Sequence, residues 1–262
     1  MNNVAYVIGH KGMVGTELMK RERFMPLPCD ITSPSSIRSA LKKANPGTIV
    51  LCAAKTDVDW CEAHPSLAGN VNCRGVSNLV DVFSGRLIYI STDHVFSGKK
   101  FIGFGYSEKH DPAPVNWYGR TKFAGETLAM MGQPKSKIIR TSKLFDYKYV
   151  DDELSHYGLE FSNVLKRSYL HVQHFVDGLE YVLDNWGKIP TILNISGTDI
   201  LTQYMFMSAC GKKFNFPEHT ITPRNTKLKG ITPRPIRGGL NVSLAKSLGV
   251  PLYSGFEGVK LL

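Results

Sequence analysis

Short apolar runs alternate with longer amphipathic stretches along most of the chain. The runs suited to buried strands are Val4-Ile8, Thr48-Ala53, Arg86-Ile90, Lys137-Arg140 and Ile189-Ile195, with a poorer, Pro-interrupted one at Phe24-Pro28. Between them, Ser33-Pro34 reads as an N-cap followed by proline at the first helical position, which predicts a helix to about Ala44. Helices are also predicted over Pro65 to Phe83, Asn116 to Met131 and Phe175 to Asn185. Alternating strand and helix give an α/β protein with a doubly wound parallel sheet, covered on both faces. No repeat, low-complexity tract or linker divides the chain.

Open sheets of this kind bind ligands outside the carboxyl ends of their strands. The first strand runs into Gly9-His10-Lys11-Gly12, the second into Asp30 and the third into Ala53-Ala54-Lys55. The fourth ends at Ser91-Thr92-Asp93 and the fifth at Thr141-Ser142. Small, hydroxylated and charged side chains therefore gather along one edge of the sheet.

Composition narrows the function classes. With 262 residues, 42% of them apolar and 21% charged, the chain can bury a sizeable core and is too apolar for disorder. No apolar run approaches the ~20 residues that span a bilayer, and Met1-Asn2-Asn3 lacks the basic start of a signal peptide. A cytoplasmic protein without a membrane partner is expected. Five cysteines, an odd number without CxxC spacing, argue against a disulfide framework and a structural zinc site. The net charge of +10 favours a polyanionic partner. Arg224, Lys227, Lys229, Arg234 and Arg237 concentrate part of it, without an acid between them. No helix-turn-helix, zinc-finger or RNP-type signature accompanies them, so no nucleic-acid partner is expected; pyrophosphate binding or a solvated basic face remain.

Gly9-His-Lys-Gly12-Met-Val-Gly15 follows the first strand and opens a helix. One glycine permits the tight turn, one lets the backbone approach a pyrophosphate at the helix N-terminus, and one allows helix and strand to pack. The motif predicts a dinucleotide cofactor. The second strand ends in Leu27-Pro28-Cys29 without the acid that would hold a ribose 2′-hydroxyl, and Lys11 could reach a 2′-phosphate, so NADPH is favoured over NADH. Asp30 suits either the adenine edge or a cap of the Ser33 helix. A second motif, Tyr118-Gly-Arg-Thr-Lys122, opens a helix and sets phenol and ammonium about one turn apart on one face. A neighbouring cation stabilises phenolate and tunes the tyrosine as a proton donor or acceptor.

Three segments make the sequence recognisable: Tyr89-Ile-Ser-Thr-Asp-His-Val-Phe-Ser-Gly98, Tyr118-Gly-Arg-Thr-Lys-Phe-Ala-Gly-Glu126 and Ala53-Ala-Lys-Thr-Asp-Val-Asp-Trp-Cys-Glu62. They resemble the extended short-chain dehydrogenase/reductase superfamily, most closely the dTDP-4-dehydrorhamnose reductase family. Val71-Asn72, Ile139-Arg-Thr141, Leu193-Asn-Ile-Ser-Gly197 and Arg234-Pro-Ile-Arg-Gly-Gly-Leu-Asn241 extend the likeness over essentially the whole chain.

The resemblance implies a Rossmann-like domain over residues 1–145 and mostly a substrate lobe over 146–262, with about 170–198 returning to the sheet. It implies reduction of the 4-keto group of a nucleotide-linked 6-deoxyhexose, the cofactor supplying hydride. Thr92 would hydrogen-bond the keto oxygen, Tyr118 would protonate it, and Lys122 would hold the nicotinamide ribose and tune Tyr118. Gly9, Lys11, Gly12, Met13, Val14, Gly15, Asp30, Ala53, Ala54, Lys55, Asn72 and Ser91 would line the cofactor site. Lys55, His94, Asn163 and Arg234 would face the substrate, Arg234 as the fork for its pyrophosphate. Arg140 and Arg237 are further anion-binding candidates. Glu17 matches a position at which family members bind magnesium at a dimer interface, and reads equally as a surface glutamate. A homodimer is expected on resemblance alone.

The chain departs from the family in two abbreviated stretches, before Asp30 and from Asp146 to Tyr169. It also carries His94 where relatives usually have tyrosine, and GDP-L-fucose synthases have an epimerising cysteine close by. An imidazole there could move protons beside the ketone, which would give an epimerase-reductase. A third reading is a cofactor-binding partner subunit, since the fold also resembles the non-catalytic regulatory subunit of methionine adenosyltransferase. His171 and His174 have metal-ligand spacing but no clear third ligand, so a structural role is expected for them.

Overall fold

The apolar runs become strands because each has side chains to bury on both faces. In β3 (Thr48–Leu51), Val50 points to one core while Ile49 and Leu51 point to the other. In β4 (Arg86–Thr92), Ile88 is set against Leu87 and Tyr89 in the same way, as a period of two demands. The computed structural model describes residues 4–99, 103–133, 135–156, 159–225 and 232–262. Lys227 and Lys229 of the predicted basic stretch lie outside them.

Six strands form one parallel sheet. They are β1 (Ala5–Ile8), β2 (Phe24–Pro26), β3, β4, β5 (Ser136–Thr141) and β10 (Ile192–Asn194), in the order β10-β5-β4-β3-β1-β2. The direction of winding reverses between β1 and β3, which opens a crevice at their carboxyl ends. On one face α1 (Met13–Leu18) and α8 (Val172–Asp184) pack on Val7, Val50, Ile88, Ile139 and Leu193. On the other, α2 (Pro34–Ala44), α5 (Gly75–Val80) and α6 (Trp117–Gly132) cover Ile8, Ile49, Leu51, Leu87 and Ile138. The fold is therefore the doubly wound α/β class that the sequence predicts. As predicted, Ser33 caps α2, its hydroxyl accepting from the Ser36 amide, with Pro34 at the first position.

Two boundaries differ in a way that matters for the site. β4 continues past Ile90 to Thr92, so Ser91 and Thr92 are held by pairing with Arg140 and Thr141 of β5. The helix predicted from Pro65 to Phe83 is α4 (Pro65–Gly69), a π-helical turn (Asn70–Arg74) and α5. The extra residue in the wide turn shifts the face of the helix and leaves Asn72 almost wholly buried.

A smaller lobe sits over the carboxyl ends. It consists of paired short strands, β6 (Lys143–Phe145) with β9 (Tyr169–His171), β7 (Glu160–Ser162) with β12 (Thr222–Arg224), and β8 (Lys166–Arg167) with β11 (Leu201–Thr202). α7 (Tyr147–His156) and α9 (Gln203–Lys213) accompany them, and Phe145, Phe161, Tyr169, Phe206 and Met207 form the lobe's core. The cysteines are all free, and among the described residues no helix is long and apolar enough to cross a membrane.

Candidate active site

Glycine geometry shapes one wall of the crevice. Gly9 has φ +89°, and a Cβ on it would stand 2.4 Å from the Ala53 amide nitrogen, so no other residue fits the turn. A Cβ on Gly15 would stand 2.2 Å from the Gly9 carbonyl oxygen, whereas one on Gly12, which lines the crevice, would meet the same oxygen at an ordinary 3.6 Å. Gly12 caps α1 without a side-chain bond, leaving the first amides of the helix for an anion.

The opposite wall is built by β4 and α6. The Thr92 hydroxyl accepts from the His94 amide (3.2 Å) and turns the chain sharply at the end of β4. Asn116 caps α6, its Oδ1 accepting from the Gly119 amide (2.8 Å). At Gly119 a Cβ would lie 2.2 Å from the His94 carbonyl oxygen, so the helix closes directly onto that turn. Tyr118, Lys122 and Glu126 then follow at helical intervals as one buried stripe, 9%, 4% and 0% exposed. The crevice of about 370 Å³ between the walls is lined by Gly12, Met13, Val14, Gly15, Ala54, Ser91, Thr92, His94, Tyr118 and Lys122. A larger cavity of about 650 Å³ lies in the small lobe around Tyr204, Phe216 and Phe256, away from these groups.

Burial sets the ionisation of the site. It pushes the Tyr118 phenol up, and the hydrogen-bonding Thr92 hydroxyl only partly opposes this, so the phenol carries its proton at neutral pH. Burial likewise brings the Lys122 ammonium down to about 7, against the pull of Glu126 and Cys52. The Lys122 Nζ rests 4.0 Å from the centre of the Tyr89 ring. Asp93 is buried, which works against its carboxylate, but Arg167, His94 and the Ser142 hydroxyl (2.6 Å) outweigh this and hold its pKa low.

His94 has a defined tautomer. Asn116 commits its oxygen to Gly119, so its amide nitrogen faces the His94 Nδ1 (3.1 Å) and the Pro233 carbonyl (2.8 Å). The Nδ1 must accept, and the proton sits on Nε2. Burial lowers the pKa of the ring, with Asp93 opposing and Arg167 and Arg234 assisting. With Nδ1 occupied by Asn116 and the proton on Nε2, the imidazole in this arrangement has no free lone pair with which to take a proton.

Other expected residues are placed less directly. Asn72 does not line the crevice; it grips Lys55 through both backbone groups (2.8 and 2.9 Å) and reaches the Thr121 hydroxyl (3.1 Å). The Lys55 ammonium lies over the Trp60 ring at 5.0 Å. Lys11 is exposed beside the glycine turn. Asp30 accepts from the Thr32 amide and hydroxyl in the turn before α2 and does not cap that helix, whose cap is Ser33. Asn163 bonds Asn225 and Thr202 in the small lobe, apart from the crevice lining. Arg234 forms a two-point ion pair with Asp59 (3.1 and 2.7 Å) on α3 (Val58–Ala63). Glu17 is buried and paired with Lys20 at 2.7 Å. Arg140 is not an anion site: its guanidinium is committed to Glu126 by two bonds of 2.8 and 2.7 Å, both side chains buried. His171 caps α8 and His174 stacks on Tyr253 at 3.7 Å; among the described residues no cluster of three or more His, Cys, Asp or Glu could hold a metal.

The polar side chains Lys143, Tyr149 and Arg167, which also line the crevice, are not among the residues the sequence pointed to. Lys143 lies one residue beyond Ser142, where the inspection of strand ends stopped.

The family model described as the RmlD substrate binding domain matches residues 3–167. The chain belongs to that family. Among proteins similar to this member, dTDP-4-keto-6-deoxy-D-glucose reductase of Streptomyces niveus is 33% identical over 197 residues, 71% of this chain and 63% of that one. Methionine adenosyltransferase 2 subunit beta of Xenopus laevis is 26% identical over 254 residues, 90% of this chain and 75% of that one. The crystal structure of dTDP-4-dehydrorhamnose reductase from Bacillus anthracis in complex with NADP superposes with a TM-score of 0.90 at 25% identity, covering 99% of this chain and 98% of that one.

The residues present fit such a cofactor. Besides the close approach that Gly12 allows, the buried hydroxyls of Ser91 and Thr141 line the crevice and have no hydrogen-bond partner within the protein. Unpaired buried hydroxyls are costly in a finished core and are expected where a polar ligand completes them.

Proposed function

We propose that this protein is an NADPH-dependent reductase of the 4-keto group of a nucleotide-linked 4-keto-6-deoxyhexose, acting in deoxysugar biosynthesis. The observation that carries the reading is the convergence of Thr92, Tyr118 and Lys122 on one crevice whose other wall is the glycine turn. Hydride addition to a ketone develops negative charge on its oxygen, and preorganised donors at that oxygen lower the barrier. Thr92 can be such a donor: its hydroxyl accepts from the His94 amide and makes only a long bond of 3.4 Å to Asp93 Oδ1, from which its proton can turn to the ketone oxygen. Tyr118, kept protonated by burial, is the second donor and delivers the proton. The cofactor, when bound, supplies the hydride. Lys122 holds its ribose and stabilises the phenolate that Tyr118 becomes. Lys11, beside the glycine turn, favours a 2′-phosphate, and Arg234 can exchange Asp59 for the substrate diphosphate.

The experiment is cofactor oxidation, NADPH against NADH, on a panel of dTDP-, GDP- and UDP-4-keto-6-deoxyhexoses, with Tyr118→Phe as control. Turnover that disappears in the variant supports the reductase and identifies the nucleotide. The likeness to methionine adenosyltransferase 2 subunit beta over 90% of the chain supports a second reading, a cofactor-binding partner subunit. Tight NADPH binding without turnover of any sugar would favour it.

A further inference from the structure

Lys143 is the first residue of β6, just beyond the carboxyl end of β5. Its side chain lines the crevice together with Thr92, Tyr118 and Arg167. The Nζ is held 4.1 Å from the centre of the Tyr149 ring, and burial makes the charge harder to hold there, Glu153 and Asp93 opposing this from a distance and Arg167 and Arg234 adding to it. The two carboxylates are engaged elsewhere. Asp93 accepts from Ser142 at 2.6 Å and lies 3.6 Å from Arg167, and Glu153 accepts from Gln203 at 3.1 Å. Among the described residues neither of them is ion-paired with Lys143. A cation half-withdrawn from water and facing a cleft without a counter-ion is a site for an anion.

Topology says whose anion it is. The glycine turn, where a cofactor pyrophosphate belongs, follows β1, while β4 with Thr92 and then β5 lie successively further from it across the sheet. Lys143 therefore stands on the far side of Thr92 from the cofactor phosphates. We propose that Lys143 is a specificity-determining residue that contacts an anionic oxygen of the substrate diphosphate. The proposal rests on the nucleotide-sugar reading above.

The test is a calorimetric titration of the full chain saturated with NADP+, comparing wild type, Lys143→Met and Lys143→Arg. The probes are dTDP, UDP, UDP-glucose and UDP-glucuronate. If the diphosphate is the source, Lys143→Met weakens dTDP or UDP about tenfold or more and Lys143→Arg restores most of it. Diphosphates that bind unchanged, with a fall only in the preference for UDP-glucuronate over UDP-glucose, would put the anion on a sugar carboxylate and overturn the proposal. Unchanged binding of all four probes in Lys143→Met overturns the proposal. So does a matching loss of NADP+ affinity, which would make the anion the cofactor's, or a wild type that binds none of the probes. Binding needs no turnover, so failure of the reductase reading in the activity panel is seen separately.

Discussion

Replacing Lys122 with methionine separates the cost of the residue to the fold from its use in the site. The side chain is 4% exposed, and burial brings its pKa from the ordinary 10.5 to about 7. At about 1.4 kcal/mol for each pH unit, the charge costs the folded chain about 5 kcal/mol below pH 7, where folded and unfolded chains both hold the proton. That cost is the net one, after the Tyr89 ring at 4.0 Å has returned its part. Lys122→Met fills the same volume without the charge and is expected to be about 5 kcal/mol more stable than wild type at pH 6 in cofactor-free urea unfolding. Between pH 7 and 10.5 the unfolded chain binds the proton that the folded chain has released, so wild type gains stability with rising pH and the difference narrows towards zero. Turnover of the variant falls by about a hundredfold or more. A variant less stable than wild type at pH 6, or a difference that does not narrow by pH 10, would refute the reasoning.

Further expectations follow from the same wall of the crevice. Tyr118→Phe keeps the ring and loses the proton: kcat should drop by about two to four orders of magnitude with NADPH affinity unchanged in a fluorescence titration, and retention of activity would remove Tyr118 from its role. The His94 ring, neutral with Nδ1 accepting from Asn116, should show no titration of its ring-proton NMR signals between pH 5 and 8; a midpoint near the ordinary 6.5 would restore the epimerase reading. Glu126→Leu strands the Arg140 guanidinium and should cost about 3–5 kcal/mol in denaturant unfolding, while Glu126→Leu with Arg140→Met should recover most of it. Gly119→Ala, which pushes α6 off the His94 carbonyl, should lower kcat without abolishing cofactor binding, as measured by the same fluorescence titration.

What the sequence made legible was whatever repeats with a fixed period or a fixed spacing. The six strands of the large sheet were visible because buried parallel strands are nearly continuous apolar runs, and the Tyr118-Lys122 face because helical spacing needs no tertiary information. The π turn at Asn70–Arg74 was not visible, since one extra residue leaves the apolar periodicity almost intact while rotating Asn72 inward. Arg140 was misread for a recoverable reason: a cation inside a fully buried strand needs a buried partner, and Glu126, eight residues beyond Tyr118 on the buried stripe of α6, was the acid to pair it with. Lys143 was missed because a three-residue strand in a small lobe leaves no pattern of its own; only pairing with β9 reveals that the chain continues into the crevice.

Similarity alone leaves reductase and partner subunit both open, because proteins of both names are similar to this chain. The energetics of the crevice separate them. A surface built only to bind a dinucleotide can be completed by the glycine turn, the α1 amides and the two orphan hydroxyls, none of which carries a charge. This chain in addition keeps a lysine whose pKa burial has drawn to about 7, a phenol held protonated against a threonine hydroxyl, and a neutral histidine fixed by a helix cap. Burying such groups lowers stability whether or not chemistry uses them, and perturbed ionisable groups that meet in one cleft point to a catalytic site. If Lys122→Met proves stabilising and inactive together, the lysine is kept for reaction rather than for the fold, and the partner-subunit reading loses its physical basis.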